Sequence, residues 1–345
     1  MIRLDRDPVN VAGGGNRRMR ILITGSAGHL GEAMMRTLPD AGHEGIGLDV
    51  LASPYTTHVG SITDRARVRA CMAGVDAVIH AATLHKPHVA THSRQDFVDT
   101  NITGTLTLLE EAAAAGVGPF LFTSTTSVFG QAMVPADGAP AAWITEDVAP
   151  VPKNIYGVTK AAAEDLCRLF HRKFGLACIV LRTSRFFPEE DDDRAKRDAY
   201  ADDNLKASEF LFRRVDVADA VAAHLLALDR APAIGFARYI ISATTPFTRE
   251  DAADLRADAP AVVDRRVPGW RDAYERRGWT MFDTIDRVYD NAAARADLGW
   301  RPRWDFAHVI DRLSRDQDPR SPLAQAIGSK GYHAETFADG PYPVE

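Results

Sequence analysis

The stretch Thr24-Gly25-Ser26-Ala27-Gly28-His29-Leu30-Gly31 decides the fold. It follows a short apolar run, Arg20 to Thr24, and leads into a segment that brings Leu30, Met34, Met35 and Leu38 to one helical face. Glycines at 25, 28 and 31 remove side chains where a strand turns sharply into a helix and where backbone must approach a pyrophosphate. Free amides at such a helix start favour phosphate. Gly25, Ala27, Gly28, His29, Leu30 and Gly31 are therefore the expected cradle of a dinucleotide.

Outward from this loop, strand and helix patterns alternate. Strands are expected at Glu44–Asp49, Val75–His80, Phe120–Thr125 and Ala177–Arg182. Helices are expected over Thr63–Met72, about Gln95–Ala115 and Tyr156–Phe174. Nearly continuous apolar strands joined by helices predict a parallel sheet covered on both faces. The fold class is α/β: a Rossmann-type doubly wound parallel sheet with a small C-terminal substrate region. The ligand crevice belongs beyond the carboxyl ends of the strands.

Asp49 ends the second strand, where a carboxylate accepts hydrogen bonds from adenosine ribose hydroxyls and repels a 2′-phosphate. No adjacent arginine offsets it, so NAD is expected rather than NADP. Ser61 and Ile62 are expected to border the adenine, and Ala81 and Ala82 to follow the third strand into the cofactor site.

Tyr156 and Lys160 stand at i and i+4 in YGVTK, on one face of a helix. A phenol is a poor base at neutral pH, but a neighbouring ammonium favours phenolate, and such a pair can exchange a proton with a substrate hydroxyl. A further hydroxyl from the end of the fourth strand should bind the reacting oxygen. Thr125 is preferred, with Ser124 second and Thr126 third, because successive strand side chains alternate faces.

With these residues in place the chain resembles the extended short-chain dehydrogenase/reductase superfamily, and within it the NAD-dependent epimerase/dehydratase family. The matching stretches are TGSAGHLG (24–31), Asp49, HAA (80–82), Asn101 in DTNITGTLTLLEEA, TSTTSVFG (123–130), YGVTK (156–160), FRRVDVADAVAAHLLAL (212–228) and DNAAARADLGWRPRWDF (290–306). The resemblance implies Thr125, Tyr156 and Lys160 as catalytic residues, Lys160 also binding the nicotinamide ribose, and Asn101 as an architectural support. It implies NAD as cofactor, no metal, a sugar or alcohol substrate, and a homodimer formed through the helices near 95–115 and 156–174. Dehydratases of the family carry an acidic pair after the catalytic Thr; here Thr126 and Ser127 follow. The activity implied is epimerisation of a sugar or nucleotide sugar by transient hydride transfer through a keto intermediate. The alternative is net dehydrogenation or reduction of a small sugar, sugar acid or other alcohol.

The chain departs from the family after the fifth strand. Arg185 stands where epimerases of nucleotide sugars place Asn, and SRFFPEEDDD replaces the usual turn. Arg185 is expected to grip a substrate carboxylate or phosphate. The acids Glu189–Asp193 are expected to form a solvated lid, since like charges repel and resist burial. His85 and His88, after the third strand, are expected to hydrogen-bond substrate.

The lead-in, residues 1–19, is expected to be flexible. The nucleotide-binding core spans 20–182, a substrate region interleaved with returning core elements spans 183–313, and an extension covers 314–345. A net charge of −6 and the lack of a basic block disfavour nucleic acid as a partner. Three cysteines without metal-ligand spacing fit a reducing compartment, and no run of apolar residues is long enough for a membrane span. A cytoplasmic enzyme is the expectation.

Overall fold

The computed structural model describes residues 17–331, 333 and 337. Residues 1–16 of the expected lead-in, and most of the last fourteen residues, lie outside these. The chain opens with β1 (Arg20–Thr24), α1 (His29–Thr37), β2 (Glu44–Asp49), β3 (His58–Val59), α2 (Arg65–Cys71) and β4 (Ala77–His80). A helical stretch follows in three parts: α3 (Arg94–Phe97), a π-helical turn (Val98–Thr103) and α4 (Gly104–Ala115). After β5 (Phe120–Thr125) and β6 (Ala142–Ile144) come α5 (Ile155–Phe174), β7 (Cys178–Thr183), α6 (Arg194–Ala199), α7 (Asp202–Glu209), α8 (Val217–Ile234), β8 (Phe236–Ile241) and β9 (Arg287–Tyr289).

Seven strands form one parallel sheet in the order β3-β2-β1-β4-β5-β7-β8. The order reverses at β1, so a crevice opens between the ends of β1 and β4, directly after which lies the glycine loop. Alternation along each strand makes two cores. Ile21, Ile23, Ile79, Leu121, Ile179 and Leu181 face α1 and α8. Leu22, Val78, Phe120, Phe122 and Val180 face α2, α4 and α5. Each fully buried side chain of this size stabilises the fold by roughly 1.5–3 kcal/mol.

The helix carrying the YxxxK pair is well specified at both ends. The Asn154 side chain accepts a hydrogen bond from Gly157 N at its start, and Gly175 closes it in the left-handed conformation. A third core, with Leu205, Phe212, Phe247, Trp270, Tyr274 and Phe306, builds the lobe beyond the sheet. A small parallel pair, β6 with β9, links the two halves and was not anticipated. Within the stretch 212–228, α8 starts at Val217, and Asp216 caps it through Ala218 N.

Candidate active site

The cleft at the strand ends has a volume of about 720 Å³ and is walled by the glycine loop, the ends of β2, β4, β5 and β7, and the start of α5. Gly25 sits at φ +76°, and a Cβ there would lie 2.8 Å from Ala82 N. A Cβ at Gly31 would lie 1.9 Å from the Gly25 carbonyl oxygen. These glycines create a cradle that any side chain would fill, as close approach to a pyrophosphate requires. Asp49 Oδ2 accepts from Ala27 N at 2.9 Å and Oδ1 from Leu51 N at 2.9 Å. A carboxylate has about four lone-pair sites, so two bonds leave capacity for ribose hydroxyls. The residues present fit NAD: the loop 25–31 for the phosphates and Asp49 for the adenosine ribose.

Ala81 lines the cleft, while Ala82 packs against Gly25 and donates its amide to Thr24 Oγ1 at 3.2 Å. Ser61 and Ile62 do not line it. Ile62 is buried against Gly104, and the Ser61 hydroxyl bonds to Thr63 at 2.8 Å, completing the turn before α2.

Thr125, Tyr156 and Lys160 come together on the cleft wall. The Thr125 hydroxyl hydrogen-bonds Tyr156 and accepts from Ser127 N at 3.1 Å. Burial pushes the Tyr156 phenol up to about 12 against the Thr125 bond. Burial likewise pushes Lys160 down to about 7, opposed by the Glu164 carboxylate. The Lys160 ammonium donates to Thr123 O at 2.6 Å and lies 4.0 Å from the centre of the Phe122 ring. Ser124 also lines the cleft, and its hydroxyl donates to Glu164 at 2.7 Å. Thr126 lines the cleft beside Thr125.

Asn101 fastens the site from behind. In the π-helical turn it accepts from Leu84 N at 2.8 Å and Thr83 Oγ1 at 2.9 Å, and donates to Leu84 O and to Thr159 Oγ1, each at 3.0 Å. One amide thus joins the loop after β4 to the helix that carries Tyr156 and Lys160. Such π turns recur at functional sites because the extra residue re-aims a side chain. The His85 ring lies tilted beside Tyr156, with ring centres 6.3 Å apart, and His88 Nδ1 accepts from His85 N at 3.0 Å. Burial, with His88 adding to it, pushes His85 down to about 3, so it is a neutral imidazole.

The acidic run is not a solvated lid. Glu189, Asp191 and Asp192 are buried, and only Glu190 and Asp193 are exposed. Cations from distant positions make this burial possible. Arg185 Nη1 bonds Asp191 and, at 2.9 Å, Glu209 of α7, while its Nη2 bonds Asp192 at 3.0 Å. Arg213 Nη2 reaches Glu209 at 2.6 Å and Asp191 at 3.3 Å; Arg214 binds Glu209 at 2.8 Å; Lys86 pairs with Asp192. Arg185 therefore lines the cleft with its guanidinium already held by three carboxylates, which corrects the expectation of an open anion grip.

Glu189 lies 3.0 Å from His29 Nε2 and accepts from Ser329 Oγ, Lys330 N and Gly331 N at 2.9–3.1 Å. Burial pushes this carboxyl up, but the His29 bond and charge and the tail amides draw it down to about 2. Lys330 also pairs with Glu32 of α1. The described end of the chain is thereby tied onto the glycine-loop side of the cleft.

Beneath β5 lies a second feature missed in the sequence. Glu164, 1% exposed, accepts from Ser124, from Arg182 (Nε 3.0 Å, Nη2 2.8 Å) and from Arg238 Nε at 3.0 Å. An arginine in the middle of the apolar run CIVLRT was its one visible signal.

A family model described as the NAD dependent epimerase/dehydratase family matches residues 21–236. The chain belongs to this family, and NAD is its cofactor. It is 31% identical over 336 residues to a dTDP-glucose 4,6-dehydratase of Streptomyces antibioticus, covering 85% of this chain and 91% of the relative. It is 26% identical over 324 residues to a UDP-glucose 4-epimerase of Rhizobium meliloti, covering 84% and 94%. Among solved structures, a short-chain dehydrogenase/reductase superfamily protein from Agrobacterium tumefaciens with bound NAD superposes with a TM-score of 0.61 at 23% identity, covering 89% of this chain and 96% of that one. A UDP-N-acetylglucosamine 4-epimerase from Bacillus cereus gives 0.60 at 19% identity, covering 86% and 97%.

Proposed function

We propose that this protein is an NAD-dependent epimerase acting on a sugar or nucleotide sugar, inverting one secondary alcohol through a keto intermediate. The observation that supports this most is the meeting of Thr125, Tyr156 and Lys160 on the wall of a cleft whose glycine loop fits NAD. When bound, NAD supplies the reversible two-electron acceptor. Thr125 orients the substrate hydroxyl, Tyr156 takes its proton as the ketone forms and returns one as the alcohol is rebuilt, and the charge of Lys160 eases the phenol's ionisation.

Two features support epimerisation over the other chemistries of the family. Among the described residues, the carboxylates lining the cleft are Asp49 and Asp192, and both are engaged, Asp49 by amides and Asp192 by Lys86 and Arg185. Neither is placed as a spare acid to expel a hydroxyl in a dehydration. The tail tied to Glu189 beside the glycine loop suits a cofactor that is regenerated in every cycle. We further propose a homodimer that covers Val158, Leu169 and Phe174, exposed apolar residues of α5.

The test is incubation of the purified protein with a panel of nucleotide sugars and free sugars, following NADH absorbance and product stereochemistry. Inversion without NADH accumulation is expected; steady NADH formation would establish net dehydrogenation instead. Tyr156→Phe should keep NAD binding while turnover falls about 10²–10⁴-fold. Unchanged turnover in that variant would refute the catalytic assignment.

A further inference from the structure

The cleft wall beyond Thr125 is cationic by sequence but not in its hydrogen bonding. Lys86, Arg185 and Arg213 line it, with Arg214 behind. Asp191, Asp192 and Glu209 meet these four cations from the other side. Both terminal nitrogens of Arg185 are used, as is Arg213 Nη2 on two carboxylates. An incoming phosphate or carboxylate would have to displace a buried, charge-assisted hydrogen bond and settle beside the displaced anion. Ser184 Oγ and the Nε atoms of Arg213 and Arg287 are buried without a hydrogen-bond partner among the described residues, and all three residues line the cleft. Each of these donors can take one acceptor, and a sugar hydroxyl supplies it without adding negative charge beside Asp191 and Asp192.

We infer that Asp191 and Asp192 are specificity residues: by filling the arginine wall with the chain's own carboxylates they reserve the cleft for an uncharged sugar lacking phosphate and carboxylate groups. This rests on the epimerase reading and narrows its substrate class. It sets the chain apart from relatives whose names carry dTDP- and UDP-sugars. Removing the two acids leaves Glu209 shared among Arg185, Arg213 and Arg214, with Lys86 no longer matched by Asp192, and should convert the wall into an anion site.

The test uses the full chain saturated with NAD, and reads equilibrium binding of UDP and of D-glucuronate by calorimetry in wild type, Asp192→Asn and Asp191→Asn/Asp192→Asn. The wild type should bind neither at submillimolar concentration. The double variant should bind both at least about tenfold more tightly, the gain expected from one charged hydrogen bond, with the single variant between. Melting and NAD binding verify the fold of each variant, and Asp192→Asn decides the matter if the double variant does not fold. Micromolar binding of UDP or glucuronate by the wild type, or folded variants with no gain, would overturn the inference. The readout is independent of turnover. A wild type that rejects both anions yet epimerises no sugar would remove the proposed activity and leave the specificity intact.

Discussion

Replacing Glu164 by Gln tests how far the site depends on one buried charge. Glu164 is 1% exposed and Arg182 is 2% exposed, joined at 2.8 Å, with Ser124 and Arg238 bound to the same carboxylate. Gln keeps the shape and removes the charge, so Arg182 is left buried and uncompensated, with Nη1 already lacking a partner. Breaking one side of a buried pair costs about 3–5 kcal/mol. A chain of 345 residues has an unfolding entropy of roughly 0.7 kcal/mol/K, so Tm should fall by about 4–7 °C. Urea denaturation and thermal melting would read both quantities. The pair can be removed whole in Glu164→Gln/Arg182→Met, which should recover most of the loss because no orphaned charge remains. The charge also supports Lys160, whose ammonium Glu164 helps to keep protonated, so Glu164→Gln should move the Lys160-dependent limb of the pH profile to lower pH. A single variant within 1 kcal/mol of wild type, or a double variant no better than the single, would refute the reasoning.

Two further outcomes follow from the structure. His224, fully buried between Thr123 Oγ1 at 2.9 Å and the Ala220 carbonyl at 2.8 Å, is pushed by burial down to about 4. The unfolded chain takes up the proton near pH 6.5 and the folded chain refuses it, so stability should fall as pH drops from 6.5 to 4, by about 3 kcal/mol. His224→Gln should flatten that part of the curve, and parallel curves for the two proteins would exclude the assignment. Gly31→Ala, whose new Cβ meets the Gly25 carbonyl, should cost about 1–3 kcal/mol and weaken NAD binding more than tenfold; titration with NAD that shows affinity within twofold of wild type would count against the cradle.

The glycine loop, Asp49 and the YGVTK helix were legible because each is local: strand, turn and helix are written within a few neighbouring residues. β2 and β5 fall at the expected residues, and Asn101 supports the site as the family resemblance implied. The acidic run was misread because burying Asp191 and Asp192 depends on Lys86 and Arg213, which lie far from them in sequence and arrive only through the fold. A run of like charges looks solvated until its partners are known. The same holds for Glu189, whose partners are at 29 and 329–331. Ser61 and Ile62 were placed by position along the chain, but the turn before α2 directs Ile62 inward.

The outermost strand of the main sheet, β8, comes from the half of the chain that also builds the second lobe, and it pairs with β7 along its whole length. A fragment ending at residue 182 would therefore expose the outer edge of β7 as a template for foreign strands and uncover Ile179 and Leu181, which α8 covers in the intact chain. The nucleotide-binding half is not a module that can be cut out or grafted. Any chimera exchanging substrate lobes within the family must carry α8 and β8 with the first half, and put its crossover after Ile241.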